Sequence, residues 1–418
     1  MLSLMDIAAV LLTLSAVFGW LNHKFLPLSR SVGLLVMSVT TSLFLIGLDA
    51  AIPAVHLLKQ LSEGLRQIDF AEIVVNGMLA FLLFAGALHV DLATLRSRAV
   101  PVFILAVFGT SISTATVGFL FWCICSLMGI PVSLPWALVF GALISPTDPV
   151  AVLSTLRNTN VPSELKIETE GEALFNDGVG LVLFTILLQF ASSEEGAHVS
   201  VAEVAELLIR EAGGGIVLGL LTGYLAYRAM RLIDDYAIEV LISLALVTGT
   251  YAIALHLHVS GPLSMVAAGL LIGDRGPRYA MSEQTQSYLF ALWTLIDEIL
   301  NSVLFLLIGL ETLVLRFDLR SFGLAASTVP IVLFARFVSV AVQPFLFGWT
   351  RLLSMRNAPF LTWAGVRGGI SVALALSVPD SPAKVAILTS TYAVVLFSII
   401  VQGSTLGWVT RRTVKRAR

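Results

Sequence analysis

Long apolar runs separated by short polar breaks repeat along the chain almost without pause. A transmembrane helix needs about 20 mostly apolar residues, and thirteen stretches answer to that description: 4–22, 32–52, 69–90, 99–128, 134–156, 168–192, 203–227, 233–256, 259–273, 287–313, 321–347, 357–378 and 385–409. The ninth is short. No basic residue precedes the first run and no small-residue cleavage pattern follows it, so it reads as a retained helix and not as a signal segment. The expected fold is an all-α polytopic membrane protein of about thirteen transmembrane helices. Twelve spans, with the first run cleaved or lying along the interface, is the alternative.

Composition agrees with that pattern. Of 418 residues, 57% are hydrophobic and 12% charged, against roughly 25% charged in a typical globular protein. Charge this sparse cannot coat a soluble protein of such length, so the bilayer is the expected solvent. The 25 Lys and Arg against 27 Asp and Glu, a net charge of -2, give no polyelectrolyte surface for nucleic acid. Cys123 and Cys125 lie one residue apart in the apolar run FWCICSLMG, where they can neither staple a fold nor complete a metal tetrad.

The placement of charge predicts an orientation, because short cytoplasmic loops collect Lys and Arg. With thirteen helices, seventeen of the 25 basic residues fall on one side, among them Lys24, Arg30, Arg96, Arg98, Arg228 and Arg231 and the tail residues Arg411, Arg412, Lys415, Arg416 and Arg418. Six fall on the other side, and Arg336 and Arg367 lie inside spans. The N-terminus is therefore expected outside and the C-terminus in the cytoplasm, with a short basic tail at 410–418.

A charged side chain at mid-membrane depth costs roughly 2.5 to 3.5 kcal/mol on insertion scales, so each one marks a functional site or a structural pair. The fifth run, LVFGALISPTDPVAVL, brackets Thr147 and Asp148 with Pro146 and Pro149. Each proline removes an amide donor and opposes helix on its N-terminal side. A helix broken near its middle is expected, its freed backbone groups facing a cavity or buried partners; a plain proline kink is the simpler reading. In the sixth run, ETEGEALFNDGVGLVLF, Asp177 shares a helix face with Glu170 and Ala173, while Glu172 lies about 140° away. Asp177 is expected to line a water-accessible cavity, with Asn176 beside it to donate or accept hydrogen bonds; an Asn–Asp pair acting as interhelical glue is the alternative. The twelfth run, LTWAGVRGGISVALALS, holds Arg367 among Gly365, Gly368 and Gly369, which permit close backbone approach or a second break. Arginine keeps its proton, so it needs a carboxylate or a ring of carbonyls. Glu172 is the best candidate, in a pair that would clamp the sixth span to the twelfth.

Interrupted helices in matching positions point to a secondary transporter built from inverted repeats, with its site where they cross. Asp297, Glu298, Asn301 and Ser302 form a polar cluster in the tenth span. Partnering Arg336 and lining an ion path are both open to it. The small residues of SGPLSMVAAGLLIGDRGPR suit tight helix packing, and His256 and His258 fall at a loop with no metal-binding spacing.

Four motifs carry a resemblance: SPTDPVAV at 145–152, GEALFNDGVGLVLF at 171–184, WTLIDEILNSVLFLLIGLE at 293–311 and TWAGVRGGISVALAL at 362–376. Together they resemble the monovalent cation/proton antiporters, in the NhaP/NHE sodium/proton exchanger branch. The resemblance implies a homodimer of a prokaryotic inner membrane with two crossed, interrupted helices. It further implies a core domain at about 69–192 and 287–378, a dimerisation domain at about 1–52 and 203–273, and Na⁺ and H⁺ as transported partners without a cofactor or a covalent reaction. By the same resemblance Asp177 is the carboxylate that binds Na⁺ or a proton, Asn176, Thr147 and Asp148 support it, and Glu172 bonds Arg367. Two positions depart from the pattern: Ala173 stands where several relatives have Ser, and Ala85 of LLFAGAL stands where many have an acid. Both departures remove oxygen ligands. The expected reaction is exchange of Na⁺, or Li⁺, for H⁺, electroneutral because one titrating carboxylate moves one charge each way; K⁺/H⁺ or mixed exchange is the alternative. No TVGYG filter speaks for a channel, and neither HExxH nor GxSxG speaks for a membrane enzyme.

Overall fold

A computed structural model describes residues 4–26, 28–51, 70–148, 161–192, 206–207, 209–313, 319–346 and 357–413, and among these every regular element is helical. Pro149 with the second half of the fifth expected span, and tail residues 414–418, lie outside the described residues. In chain order the helices are α1 (Leu4–Phe25), α2 (Arg30–Ala51), α3 (Phe70–Leu88), α4 (Ala99–Leu127), α5 (Leu134–Ile144), α6 (Ser163–Ser192) and α7 (Gly214–Met230). There follow α8 (Tyr236–Leu257), α9 (Gly261–Tyr279), α10 (Glu283–Glu311), α11 (Leu319–Leu346), α12 (Ala358–Trp363), α13 (Gly369–Ser377) and α14 (Lys384–Thr413). Eight of them, α2, α3, α4, α6, α8, α10, α11 and α14, are long and apolar enough to cross a membrane. The others occupy the remaining expected runs, with α12 and α13 sharing the twelfth.

Hydrophobic pattern alone does not announce the wide π turns inside three of these helices, at Ile73–Met78 in α3, Ile104–Gly109 in α4 and Ser398–Gln402 in α14. Each keeps the helix apolar while locally loosening its hydrogen-bond ladder. Between α3 and α4 a short helix, Leu92–Ser97, is capped by Asp91. The Thr94 hydroxyl and then the Ala93 amide, donating at 3.0 Å, hold the exposed Asp91 carboxyl below its usual range.

The helices pack chiefly in two groups: α4, α5, α6, α11, α12, α13 and α14 on one another, and α1, α2, α3, α7, α8, α9 and α10 on one another. They meet chiefly where α13 lies along α3 and α6 along α9, with smaller contacts of α14 on α2 and of α10 on α13. In lipid, helices associate through close backbone approach, for which small residues are needed. The run at 260–278 does pack this way. Gly215 and Gly219 of α7 leave no room for a Cβ against the Ser260 and Ser264 carbonyls, and Gly223 leaves a tight fit, with the Ala268 Cα 3.2 Å from where that atom would sit. On the opposite side, Gly269 and Gly273 of α9 abut the α3 backbone, a Cβ on Gly269 meeting the Phe84 carbonyl at 2.9 Å.

Candidate functional site

α5 ends at Ile144, where the Ser145 hydroxyl turns back to the Gly141 carbonyl at 2.7 Å and reaches the Ser113 hydroxyl of α4 at 2.9 Å. The chain continues without helix through Pro146, Thr147 and Asp148. Likewise α12 stops at Trp363 and α13 restarts at Gly369, leaving Ala364–Gly368 irregular. Helix ends leave carbonyls and amides without helical partners, and here the two breaks supply each other. The Asp148 amide donates to the Val366 carbonyl at 2.8 Å. Arg367 Nη1 donates to the Pro146 carbonyl at 3.0 Å and also to that of Ser145.

Charge follows the same cross-over. Arg367 places its cation at the C-terminal end of α5, where the helix dipole is negative, and the Asp148 carboxyl lies against Gly368 at the N-terminal end of α13, where the dipole is positive. Gly368 is required there, because a Cβ would come within 2.7 Å of Asp148 Cγ.

α6 holds the first break from the side. Asn176 Nδ2 donates to the Thr147 hydroxyl at 2.8 Å and Asn176 Oδ1 accepts from the Thr147 amide at 3.3 Å. One turn on, Gly180 admits the Pro146 ring, which any side chain at that position would strike. Asn176 and Thr147 are thus spent on each other. Asp177, the next residue along α6, is 8% exposed and lines a cavity of about 130 Å³ together with Asp148 and Ser371. From the other group of helices come Leu82, Leu83, Gly86, Asp297 and Asn301. A water molecule needs roughly 10–15 Å³ of such space, so the cavity has room for a partly hydrated small ion. Asp177 has no hydrogen-bond partner among the described residues. A carboxylate so nearly buried and so poorly solvated calls for a proton or a cation.

The expected pairing of Glu172 with Arg367 is corrected. Glu172, on the far face of α6, is gripped by Arg336 of α11, with Nη1 on Oε1 and Nη2 on Oε2 at 2.8 Å. Arg336 also donates from Nε to the Leu361 carbonyl of α12 at 3.2 Å. The planar fork matches a carboxylate edge-on, while Arg367 is drawn to the two carbonyls that the break in α5 leaves without amides. Both arginines are buried. Each therefore finds one of the two kinds of partner a membrane-embedded guanidinium requires.

The polar cluster of the tenth span divides. Asp297 and Asn301 line the Asp177 cavity, whereas Glu298 pairs with Arg30 beside a larger space of about 720 Å³ between α1, α2 and α10. None of the four reaches Arg336. The sequence signalled these residues as out of place in lipid but not which cavity each would face. Ala85 and Ala173 are buried, and it is their neighbours Gly86 and Leu174 that line the site.

The family described as "Sodium/hydrogen exchanger, transmembrane" matches residues 11–412. The chain is 41% identical to the Na(+)/H(+) antiporter NhaP of Pseudomonas aeruginosa over 414 residues, covering 98% of this chain and 97% of that one. It is 34% identical to the Na(+)/H(+) antiporter NhaH of Halobacillus aidingensis, covering 88% of this chain and 90% of the relative. Among solved structures, that of the sodium proton antiporter MjNhaP1 from Methanocaldococcus jannaschii at pH 8 superposes with a TM-score of 0.77 over 98% of both chains. At 21% identity this last likeness speaks for the fold.

Proposed function

The chain belongs to the sodium/hydrogen exchanger family, and on that premise we propose that it exchanges Na⁺ for H⁺ across a membrane, with the Asp177 carboxyl holding either one cation or one proton. The observation that carries this reading is Asp177 itself, nearly buried, without a hydrogen bond among the described residues, and facing a cavity at the crossing of two helix breaks. Asp148 sits at the positive end of α13 and Arg367 at the negative end of α5. Asp177 then trades a cation for a proton, and one charge crosses in each direction.

Alternating access follows from where the cavity lies. Asp148, Asp177 and Ser371 belong to the group of helices around the breaks, and Leu83, Gly86, Asp297 and Asn301 belong to the group around α2, α3 and α10. Sliding of one group against the other would expose the cavity first to one side and then to the other. Packing favours a moving body of α4–α6 and α11–α14 and a scaffold that includes α3 and α10, a boundary drawn differently from the sequence expectation of 69–192 and 287–378 as core. The same premise makes the protein a homodimer of a bacterial inner membrane, N-terminus outside and C-terminus in the cytoplasm, in keeping with its lopsided basic residues.

The test is exchange in reconstituted vesicles, read with a pH-sensitive dye as Na⁺, Li⁺ or K⁺ is added at several pH values. Na⁺ and Li⁺ should drive proton flux in the wild type, and Asp177→Asn should abolish it. Unchanged flux in Asp177→Asn overturns the role of Asp177. Flux driven by K⁺ and not by Na⁺ replaces the reading with K⁺/H⁺ exchange.

A further inference from the structure

α10 turns two neighbouring polar faces toward two different spaces. Residues 297, 301 and 304 recur at helical spacing and line the cavity of Asp177. Glu298 and Ser302, one step around, line the larger space in which Arg30 meets Glu298. One acid of the adjacent pair thus pairs with Arg30, and the other lines the cavity of Asp177.

A monovalent cation entering a narrow passage exchanges hydration oxygens for protein oxygens. The wall contributed by α3, through Leu82, Leu83 and Gly86, is hydrocarbon. Oxygen on the scaffold side comes from Asp297 and Asn301. Asn301 Nδ2 donates to Asp297 Oδ1 at 3.0 Å and to the Asp297 carbonyl at 2.9 Å. Those bonds orient the carboxylate, whose two oxygens offer about four acceptor sites. With its nitrogen committed, the polar atom left to Asn301 is an acceptor oxygen. Across the cavity Asp177, 8% exposed and without a hydrogen-bond partner among the described residues, marks the space as one that receives a positive ligand.

The acids do not gather around one point: among the described residues no three of His, Cys, Asp or Glu form a group able to hold a metal ion together. Asp297 and Asp177 also belong to different helix groups. A cation would therefore meet them in succession.

We propose that Asp297, oriented by Asn301, is a second cation-binding group, a way station that takes a partly dehydrated monovalent cation and passes it to Asp177, and that it sets the affinity and selectivity of exchange. The inference rests on Asp177 being the exchange carboxyl. In reconstituted vesicles Asp297→Asn should raise the half-saturating Na⁺ concentration about tenfold, equivalent to about 1.4 kcal/mol, with the maximal rate little changed and the contrast between Li⁺, Na⁺ and K⁺ reduced. Asp297→Glu should restore much of the affinity with an altered cation preference, and Asn301→Ala should shift half-saturation the same way by less. A merely structural Asp297 would lower the melting temperature of its variants and leave half-saturation alone. Half-saturation unchanged in Asp297→Asn while Asp177→Asn is inactive overturns the way station alone; exchange surviving in Asp177→Asn overturns both assignments. Should Asp297→Asn fail to assemble, Asp297→Ser carries the same comparison with the same two outcomes.

Discussion

The two helix breaks reach the same end by opposite means. The break at Ser145–Asp148 is made by proline and polar side chains, and its grip comes from a side chain, the amide of Asn176. That at Ala364–Gly368 is made by glycine, and it offers its partner the Val366 carbonyl, the bare Cα of Gly368 and the guanidinium of Arg367. Its brace comes from outside, from Arg336, whose Nε would lie 2.7 Å from a Cβ on Gly365. One break is stiff and carries the Asp148 carboxyl to the Asp177 cavity; the other, at Gly368, leaves room for that carboxyl to come close. Unwound backbone survives at membrane depth only where protein supplies its partners, and here much of each break's partner set is the other break. Neither would be stable as an isolated irregularity.

The largest effect should come from removing the external brace. Glu172→Gln leaves the Arg336 cation buried without its acid, and breaking such a pair costs about 3 to 5 kcal/mol. The melting temperature of the purified protein should fall accordingly, and Glu172→Gln combined with Arg336→Met should recover part of the loss. A wild-type melting curve for Glu172→Gln would remove the brace from the comparison. Next in size, Gly368→Ala forces a methyl group into the Asp148 carboxyl, for which overpacking penalties of about 1 to 3 kcal/mol are typical. Exchange in vesicles should be lost out of proportion to the change in stability, because the displaced group lines the Asp177 cavity. Smallest, Thr147→Val keeps the shape but removes the hydroxyl that Asn176 donates to, at about 1 kcal/mol, whereas Thr147→Ser should stay within about 0.5 kcal/mol of wild type. If Thr147→Val disturbs exchange more than Gly368→Ala, the proline break and not the glycine break sets the fit.

Both breaks were legible in the sequence, because proline and glycine act on their own backbone and need no neighbour to do so. Asp177 was legible for a similar reason: the cost of an acid in an apolar run is a local quantity. What the sequence could not reveal was which arginine meets which acid. Arg336 and Arg367 each sit alone in an apolar span, and helical spacing fixes angles around one helix but not the rotation of one helix against another. From the sequence alone, Glu172 therefore points to Arg367, while packing gives it to Arg336. The division of Asp297 from Glu298 was hidden in the same way, since a step of 100° separates them and only packing decides which space each one enters.

The glycines at 215, 219 and 223 of α7 have a mechanical consequence. Backbone lies against backbone along that seam, and the far side of α9 abuts α3 in the same manner through Gly269 and Gly273. Such a joint has no slack. A methyl group added to α7 at Gly219 cannot be absorbed by a side chain swinging aside, so it would push α9, and α9 would push α3, whose Leu83 and Gly86 form a wall of the Asp177 cavity. The width of that cavity is thereby gauged by residues that do not line it, much as the clearance of a piston is set by the casting around it.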